Sequence, residues 1–160
     1  SSKDQETVIR AMETIDKDVI LRFVGDGENL EHCKQVANDC SVADRVQFLG
    51  SRSDVAELIA ESYIGIQSSN WEGFGLTAVE LMACGKPVIA TNVEGLKQVV
   101  EGAGKVFSKG NANELAEKVN LLLADVNLYC DISRKCISRA AQYDIHLMAD
   151  SYKKIVYPFD

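Results

Sequence analysis

Two glutamates flank a glycine-containing turn in the segment WEGFGLTAVE, where Glu72 and Glu80 are separated by seven residues. Gly73 and Gly75 lie within that turn. Glycine has no Cβ, so a ligand can approach the backbone closely at either position. Carboxylate oxygens accept hydrogen bonds from hydroxyl groups. The segment therefore suits a ligand that is rich in hydroxyls.

The residues from Gly75 to Cys84 predict a helix that is apolar nearly all round, and such a helix is expected to be buried. Glu80 lies within it. An unpaired carboxylate in apolar surroundings costs on the order of several kcal/mol. We therefore expect Glu80 to be a buried anion whose hydrogen-bond donors come from a ligand. A salt bridge to Lys86 or Lys97 is the alternative.

The start of the same helix predicts a phosphate site. The amide groups of Gly75, Leu76 and Thr77 have no partner inside the helix and carry its positive dipole end. Glu80 shares a helix face with Leu76 and Thr77 and lies toward the same end. A nucleoside diphosphate suits this geometry, with ribose hydroxyls on Glu80, phosphates on the amides and a hydroxyl-rich group at Glu72. A purely structural role for Glu72, stabilising the helix dipole, remains open.

Other chemical signatures are weaker. Trp71 is interpreted as a packing aromatic rather than as a platform for a ligand. The segment GDGENL has leucine where a dinucleotide-binding fingerprint has its third glycine, and the chain has no G-x-x-x-x-G-K-[ST] or G-x-S-x-G motif. His32 and His146 are far apart and have no metal-ligand spacing, so no metal site is expected.

The elements that carry these residues alternate between strand and helix. Apolar runs typical of buried parallel strands occur in DVILRFVGDG, RVQFLG, YIGIQSS, KPVIATN and GKVFS. Helices are predicted before, between and after them, and Ser53 or Asp54 is expected to cap one. The first predicted element is a helix, ETVIRAMETI, whereas such sheets normally open on a strand, so we expect a first strand upstream of Ser1.

This alternation predicts a Rossmann-like, doubly wound α/β fold with a mainly parallel sheet and helices on both faces. Ligands of such folds bind outside the carboxyl ends of the strands. The turns after Val24, Leu49, Ser69 and Asn92 should therefore face one crevice.

Composition agrees with one domain over residues 1–160, because 46% of the residues are hydrophobic and 26% are charged. The net charge of -7 disfavours nucleic acid as a partner. The five cysteines are odd in number, lack C-x-x-C spacing and are interpreted as reduced, buried thiols. We expect a cytoplasmic location or the cytosolic face of a membrane, with peripheral membrane association left open.

The segment EGFGLTAVELMACGKPVIAT resembles the E-x7-E signature of retaining, nucleotide-sugar-dependent glycosyltransferases of family four. These enzymes have two Rossmann-like domains, the GT-B fold. The segments VILRFVGDGEN, DRVQFLGSRSDVAELIAES, GLKQVVEGAGKVFSKGNANELAEKVNLLLAD and YDIHLMADSYKKIVY resemble the same family in order and spacing. The resemblance covers essentially the whole chain and is to the C-terminal, donor-binding half.

The resemblance implies a role for each matching residue. Glu72 matches the glutamate that contacts the transferred sugar, and it is the candidate catalytic residue. Glu80 matches the glutamate that binds the ribose hydroxyls. The remaining candidate substrate-binding residues are Gly73, Phe74 and Gly75 for the sugar, Leu76, Thr77 and Lys3 for the diphosphate, and Ser51 and Arg52 for the nucleobase. A solvated terminal lysine is the alternative for Lys3.

The sequence also departs from the family pattern. The family's diphosphate-binding arginine would lie upstream of Ser1. Thr77 stands where proline is common, and Glu94 adds a carboxylate where Gly-Gly is frequent. The acceptor-binding N-terminal domain is absent.

The resemblance implies transfer of a sugar from a nucleoside diphosphate sugar to an acceptor hydroxyl, with no metal cofactor. A non-catalytic nucleotide-sugar-binding subunit that completes its cleft with a partner chain is the alternative. A sugar-nucleotide epimerase is disfavoured by the motif spacing.

Overall fold

The computed structural model describes residues 2–143 as alternating helices and strands. The strands are β1 (Leu21–Phe23), β2 (Val46–Phe48), β3 (Gly65–Gln67), β4 (Val88–Thr91) and β5 (Lys105–Phe107). The helices are α1 (Gln5–Ala11), α2 (Leu30–Asp39), α3 (Val55–Glu61), α4 (Leu76–Ala83), α5 (Glu94–Val100), α6 (Ala112–Ala124) and α7 (Val126–Ala141), with a short 3-10 turn at Ala43–Arg45. All five predicted strands are confirmed. The segment YDIHLMADSYKKIVY lies outside the described residues, apart from its first tyrosine.

The strands form two parallel sheets rather than the one continuous sheet that the sequence predicts. In the smaller sheet β1 pairs with β2, and in the larger one β4 lies between β3 and β5. A cleft of about 630 Å³ separates the two sheets and is lined by all of β1 and all of β3. Strand order across the molecule is therefore β2, β1, cleft, β3, β4, β5.

The direction in which successive strands are added to the sheet reverses at this cleft, although all of the strands run parallel. The β1-to-β2 crossover steps away from the cleft on one side, and the crossovers from β3 to β4 to β5 step away on the other. Right-handed crossovers in opposite directions place their helices on opposite faces. Accordingly α1 packs against α2 and α6, whereas α4 packs against α5 and α7. The predicted doubly wound, Rossmann-like α/β architecture is confirmed, and the reversal is the point at which such folds bind ligands.

The core is densest around β4. All four of its residues are buried, and Ile89 lies in the middle of the strand with none of its surface exposed. Gly104 allows β4 and the turn before β5 to approach, since a Cβ there would lie 2.3 Å from the carbonyl oxygen of Val88. By contrast, β1 has no fully buried residue.

Two expectations about burial are wrong. Helix α4 is not buried all round, because only the face carrying Ala78, Leu81 and Met82 packs into the core. The cysteines are all free, as expected, but Cys84 and Cys130 are exposed rather than buried. Cys84 follows the last residue of α4 and Cys130 lies on the solvent face of α7, and the residue type alone does not reveal that either position is exposed.

Candidate functional site

The turn after β3 is held by the first described residues of the chain. Lys3 forms an isolated antiparallel bridge with Ser69, the Asp4 amide donates to the Ser68 carbonyl at 3.1 Å, and the Asn70 amide donates to the Ser2 carbonyl at 2.7 Å. Asp4 then caps α1 by accepting a hydrogen bond from the Thr7 amide. These bonds fix Lys3 at the carboxyl end of β3.

Lys3 and Glu72 form an ion pair at this edge, with 2.5 Å between Nζ of Lys3 and Oε2 of Glu72. The Glu72 side chain is 21% exposed. The hydrogen bond from Lys3 lowers the pKa of Glu72 below its usual range, and the backbone N–H groups of Gly73 and Gly75 act in the same direction while partial burial opposes them. Glu72 is therefore an ionised carboxylate in a fixed position near neutral pH.

Contacts with β4 and α5 fix the backbone of the turn. The Ser69 amide donates to Oγ1 of Thr91, which lies fully buried at the end of β4. Gly95, in the first turn of α5, lies against the turn so closely that a Cβ would be 2.3 Å from the Glu72 carbonyl oxygen and 2.6 Å from that of Gly73. The carboxyl end of β4 and the start of α5 thus hold the turn that carries Glu72 in one conformation.

Helix α4 begins at Gly75, whose φ of +80° lies in the left-handed region that favours glycine. A Cβ there would also come within 2.7 Å of a Leu96 methyl group. Leu76 follows and is 68% exposed, and Thr77 is exposed beside it. The N-terminus of α4 therefore opens to solvent next to the Lys3–Glu72 pair, as the predicted phosphate site requires.

Glu80 is exposed, so the expectation of a buried anion is wrong. Its carboxylate lies on the solvent face of α4 together with Leu76 and Thr77, and the apolar side chains of the helix do not surround it. The alternative salt bridges are not formed either, because Lys86 donates to the Ala60 carbonyl and Lys97 pairs with Glu101. The predicted position of Glu80, one turn from the start of α4, is confirmed.

Trp71 is 71% exposed, which corrects its interpretation as a packing aromatic. Phe74, in contrast, makes an edge-to-face contact with the ring of Tyr143, with centroids 5.4 Å apart. Phe74 therefore ties the turn to the end of α7, while the Trp71 side chain extends into solvent.

Ser51 and Arg52 are exposed at the carboxyl end of β2, across the cleft from β3. Arg52 pairs with Asp54, with 2.6 Å between Nη2 and Oδ2, and this lowers the pKa of Asp54. Asp54 occupies the predicted cap position of α3, but its carboxylate accepts from Arg52 instead of from a helix amide. These two candidate residues therefore lie at the carboxyl end of β2, whereas Lys3 and Glu72 lie at the carboxyl end of β3.

Sequence reasoning missed several residues of the site. Ser69, Thr91 and Gly95 position the turn without carrying chemistry themselves. Lys109, after β5, places Nζ 3.5 Å from the carbonyl oxygen of Asn70 and adds a second cation near the turn. The sequence held one signal for Thr91, because it ends the apolar run VIAT. A polar side chain at the end of a buried strand needs a hydrogen-bond partner nearby.

Within residues 2–143, three or more histidine, cysteine or acidic side chains are nowhere grouped as metal ligands. In the same range, no helix is long and apolar enough to cross a bilayer.

Curated proteins with similar sequences are sugar transferases. Over 112 residues the chain is 35% identical to N,N'-diacetylbacillosaminyl-diphospho-undecaprenol alpha-1,3-N-acetylgalactosaminyltransferase of Campylobacter jejuni, covering 69% of this chain and 30% of that protein. Over 160 residues it is 31% identical to N-acetyl-alpha-D-glucosaminyl L-malate synthase of Bacillus anthracis, covering 97% of this chain and 42% of that protein. The chain thus spans less than half the length of these relatives.

Solved structures agree in fold. HepE of Anabaena in complex with UDP and glucose superposes with a TM-score of 0.91 at 27% identity, over 99% of this chain and 46% of that one. The same protein in complex with UDP-glucose gives a TM-score of 0.91 at 28% identity, over the same shares. The model of the family of glycosyl transferases group 1 matches residues 1–142, and the chain belongs to that family.

Proposed function

We propose that residues 1–160 form the donor-binding domain of a retaining glycosyltransferase that takes a sugar from a nucleoside diphosphate sugar. The observation that carries the proposal is the convergence of Lys3 and Glu72, 2.5 Å apart, on the open N-terminus of α4. This places a cation, a carboxylate and unpaired helix amides at the reversal point of a doubly wound fold.

In the proposed complex, the diphosphate lies on the amides of Leu76 and Thr77 beside Lys3. Negative charge develops on this group as the sugar leaves, and preorganised donors stabilise it most strongly. The helix dipole acts in the same sense. No metal is required for this stabilisation, so we propose catalysis without a metal cofactor.

The two glutamates hold the ends of the donor. Glu80 accepts hydrogen bonds from the ribose hydroxyls, a role that its exposed position one turn into α4 permits. Glu72 positions the transferred sugar together with the backbone of Gly73, Phe74 and Gly75. This assigns the spacing of Glu72 and Glu80 to the E-x7-E motif.

The nucleobase is proposed to lie toward Ser51 and Arg52, across the crevice. UDP is the first nucleotide to test, because HepE of Anabaena was solved with UDP and with UDP-glucose. Arg52 is already paired with Asp54, so its guanidinium offers a flat face for a base in a fixed orientation.

During transfer the anomeric carbon exchanges its bond to phosphate oxygen for one to the acceptor oxygen on the same face of the sugar. The nucleoside diphosphate leaves with the electron pair, and its departing phosphate oxygen takes up the proton that the acceptor hydroxyl releases. The acceptor is held by an N-terminal domain of the parent chain. We propose that the parent acts in the cytoplasm or at the cytosolic face of a membrane, with which it associates peripherally.

Calorimetry with a panel of nucleotide sugars tests donor binding. The chain should bind one of them weakly, and Glu80→Ala should lower the affinity about tenfold through loss of the ribose contacts. Glu117→Ala, an exposed glutamate on α6, is the matched control. Equal affinities for all three proteins would remove Glu80 from the site.

The role of Glu72 is tested in the full-length enzyme. Glu72→Gln keeps the shape of the side chain but removes its charge, so turnover should fall with donor binding less affected. Unchanged binding together with unchanged turnover would refute the role. The 160-residue chain alone should transfer little or no sugar, and transfer near the rate of a two-domain relative would contradict that expectation.

A further inference from the structure

Lys109, in the loop after β5, is an exposed cation beside the proposed site, and within residues 2–143 it forms no ion pair with a carboxylate. Its Nζ lies 3.5 Å from the carbonyl oxygen of Asn70, two residues before Glu72. That distance is long for a hydrogen bond, whose usual range ends at about 3.2 Å. An ammonium group has three donors. The contact with Asn70 therefore holds the charge of Lys109 near the turn without satisfying it.

Hydrogen bonds on either side of Lys109 fix the backbone that carries it. The Asn111 amide donates to the Ser108 carbonyl at 3.0 Å, and the Ser108 amide donates to Oε2 of Glu114 at 2.7 Å. The side chain of Asn111 accepts from the Glu114 amide and so caps α6. Lys109 therefore extends toward the turn from a loop whose conformation is held by α6.

The acidic side chains of the neighbouring segments leave the charge of Lys109 available. Glu72 is paired with Lys3, and Glu114 is paired within α6. Glu94, the first residue of α5, is exposed and forms no ion pair with Lys109. The positive charge at the end of β5 can therefore be matched by an anionic ligand.

The position of Lys109 along the carboxyl edge selects the part of a ligand that it meets. In the larger sheet β4 lies between β3 and β5, so the loop after β5 starts about 10 Å from the end of β3 at the usual strand spacing. The nucleobase is proposed at the end of β2, and the sugar at the turn after β3. A donor in that orientation extends along the edge from β2 toward β5, and its sugar is the group nearest Lys109. Lys3, proposed for the diphosphate, lines the cleft on the other side of β3.

We propose that Lys109 determines donor specificity by binding a carboxylate on the transferred sugar, so that the donor is a nucleoside diphosphate uronic acid. This role rests on the proposed function, whose substrate it narrows. A carboxylate carries one negative charge, which the compact ammonium of a lysine matches in a single ion pair. A phosphate substituent carries a charge of about −1.5 to −2 and three acceptor oxygens, so it calls for more donors than one lysine. The C6 carboxylate of a uronic acid is separate from the anomeric bond to phosphate, so each anionic group has its own cation.

Calorimetry with UDP-glucuronate and UDP-glucose tests this role, because the two donors differ only in a carboxylate or a hydroxymethyl group at C5 of the sugar. The native chain should bind UDP-glucuronate about five- to tenfold more tightly, and the ratio should shrink as salt is added. Lys109→Met removes the charge, so the two affinities should become equal, whereas Lys109→Arg should retain the preference. Lys17→Met, at an exposed lysine in the loop before β1, is the control for the change in net charge.

UDP separates the role of Lys109 from the donor site itself, because it has no sugar. If the native chain binds UDP, equal affinities for UDP-glucuronate and UDP-glucose would overturn the role of Lys109 and leave the donor site in place. A preference that survives in Lys109→Met would also overturn it. If GDP binds and UDP does not, GDP-mannuronate and GDP-mannose give the same comparison. Absence of binding by every nucleotide and nucleotide sugar would refute the proposed function together with the role of Lys109.

Discussion

The two halves of the molecule differ in how completely they are packed. The half built on β3, β4 and β5 has a strand buried along its whole length and glycines that allow backbones to approach closely, whereas both strands of the half built on β1 and β2 are partly exposed. The residues with candidate chemistry around Glu72 are carried by the packed half. The packed half therefore positions the residues that we propose to contact the sugar and the diphosphate, and the residues proposed for the nucleobase lie in the more open half.

Truncating an apolar side chain in each half should give the largest difference in the free energy of unfolding. Ile89→Ala, at the centre of β4, should lower the free energy of unfolding by about 2 to 5 kcal/mol, because the surrounding elements cannot collapse into the space. Leu21→Ala, on β1 beside the cleft, should cost about 1 to 2 kcal/mol, since Leu21 is already partly exposed. Urea denaturation measures both, and equal costs would show that the halves are packed alike.

The next effect separates packing from site geometry. Gly95→Ala forces a methyl group onto the carbonyl oxygens of Glu72 and Gly73, and it should cost about 1 to 3 kcal/mol in stability and abolish measurable UDP binding. Gly104→Ala meets the Val88 carbonyl just as closely but lies away from the site, so at similar cost it should preserve UDP affinity. If both variants bind UDP alike below their melting temperatures, α5 does not shape the site.

A smaller effect isolates ligand approach from folding. A Cβ at Gly73 has no atom within 4 Å, so Gly73→Ala should change stability by less than about 0.5 kcal/mol. It should nevertheless weaken donor binding about tenfold, or about 1.4 kcal/mol, by obstructing the backbone. Gly27→Ala, equally open but located after β1, is the control in calorimetry. Full donor affinity in Gly73→Ala would place the sugar elsewhere.

The smallest effect concerns acid stability of the packed half. The hydrogen bond from Lys118, with help from the Ser108 amide, lowers the pKa of Glu114 from 4.5 to about 2. A depressed carboxyl pKa contributes stability above the unfolded value that is lost as pH falls through the folded value. Between pH 4.5 and 2 the native chain should therefore lose stability more steeply than Glu114→Gln, by less than about 1 kcal/mol for so exposed a pair.

Thermal unfolding across that pH range measures the difference, with Glu117→Gln on the same helix as control. Parallel curves for the native chain and Glu114→Gln would mean that the ion pair adds nothing to the packed half.

Sequence predicted the fold well because its signals are local. Apolar runs and turn residues identify each strand and helix without knowledge of neighbours, and the doubly wound order follows from their alternation. The division into two sheets was not predictable from those runs, since β1 and β3 have the same apolar pattern whether or not a strand lies between them.

The sequence supplied the candidate residues of the site, which stay predictions, but its prediction that Glu80 is buried was wrong. Glu80 was expected to be buried because α4 is rich in apolar residues, yet Leu76 is exposed on the same face as Glu80. An apolar residue type does not establish that its position is buried. The role of Gly95 was missed for another reason. It allows α5 to pack closely against the turn at Glu72, and a contact between segments so distant in sequence leaves no local pattern.

Amide chemical-shift mapping during titration with UDP shows whether the turn after β3 and the start of α4 receive the diphosphate. The largest shifts should occur at the amides of Gly73, Gly75, Leu76 and Thr77, and they should be lost in Gly95→Ala. Largest shifts at another edge of the molecule, with these four amides unmoved at saturation, would contradict diphosphate binding at this turn.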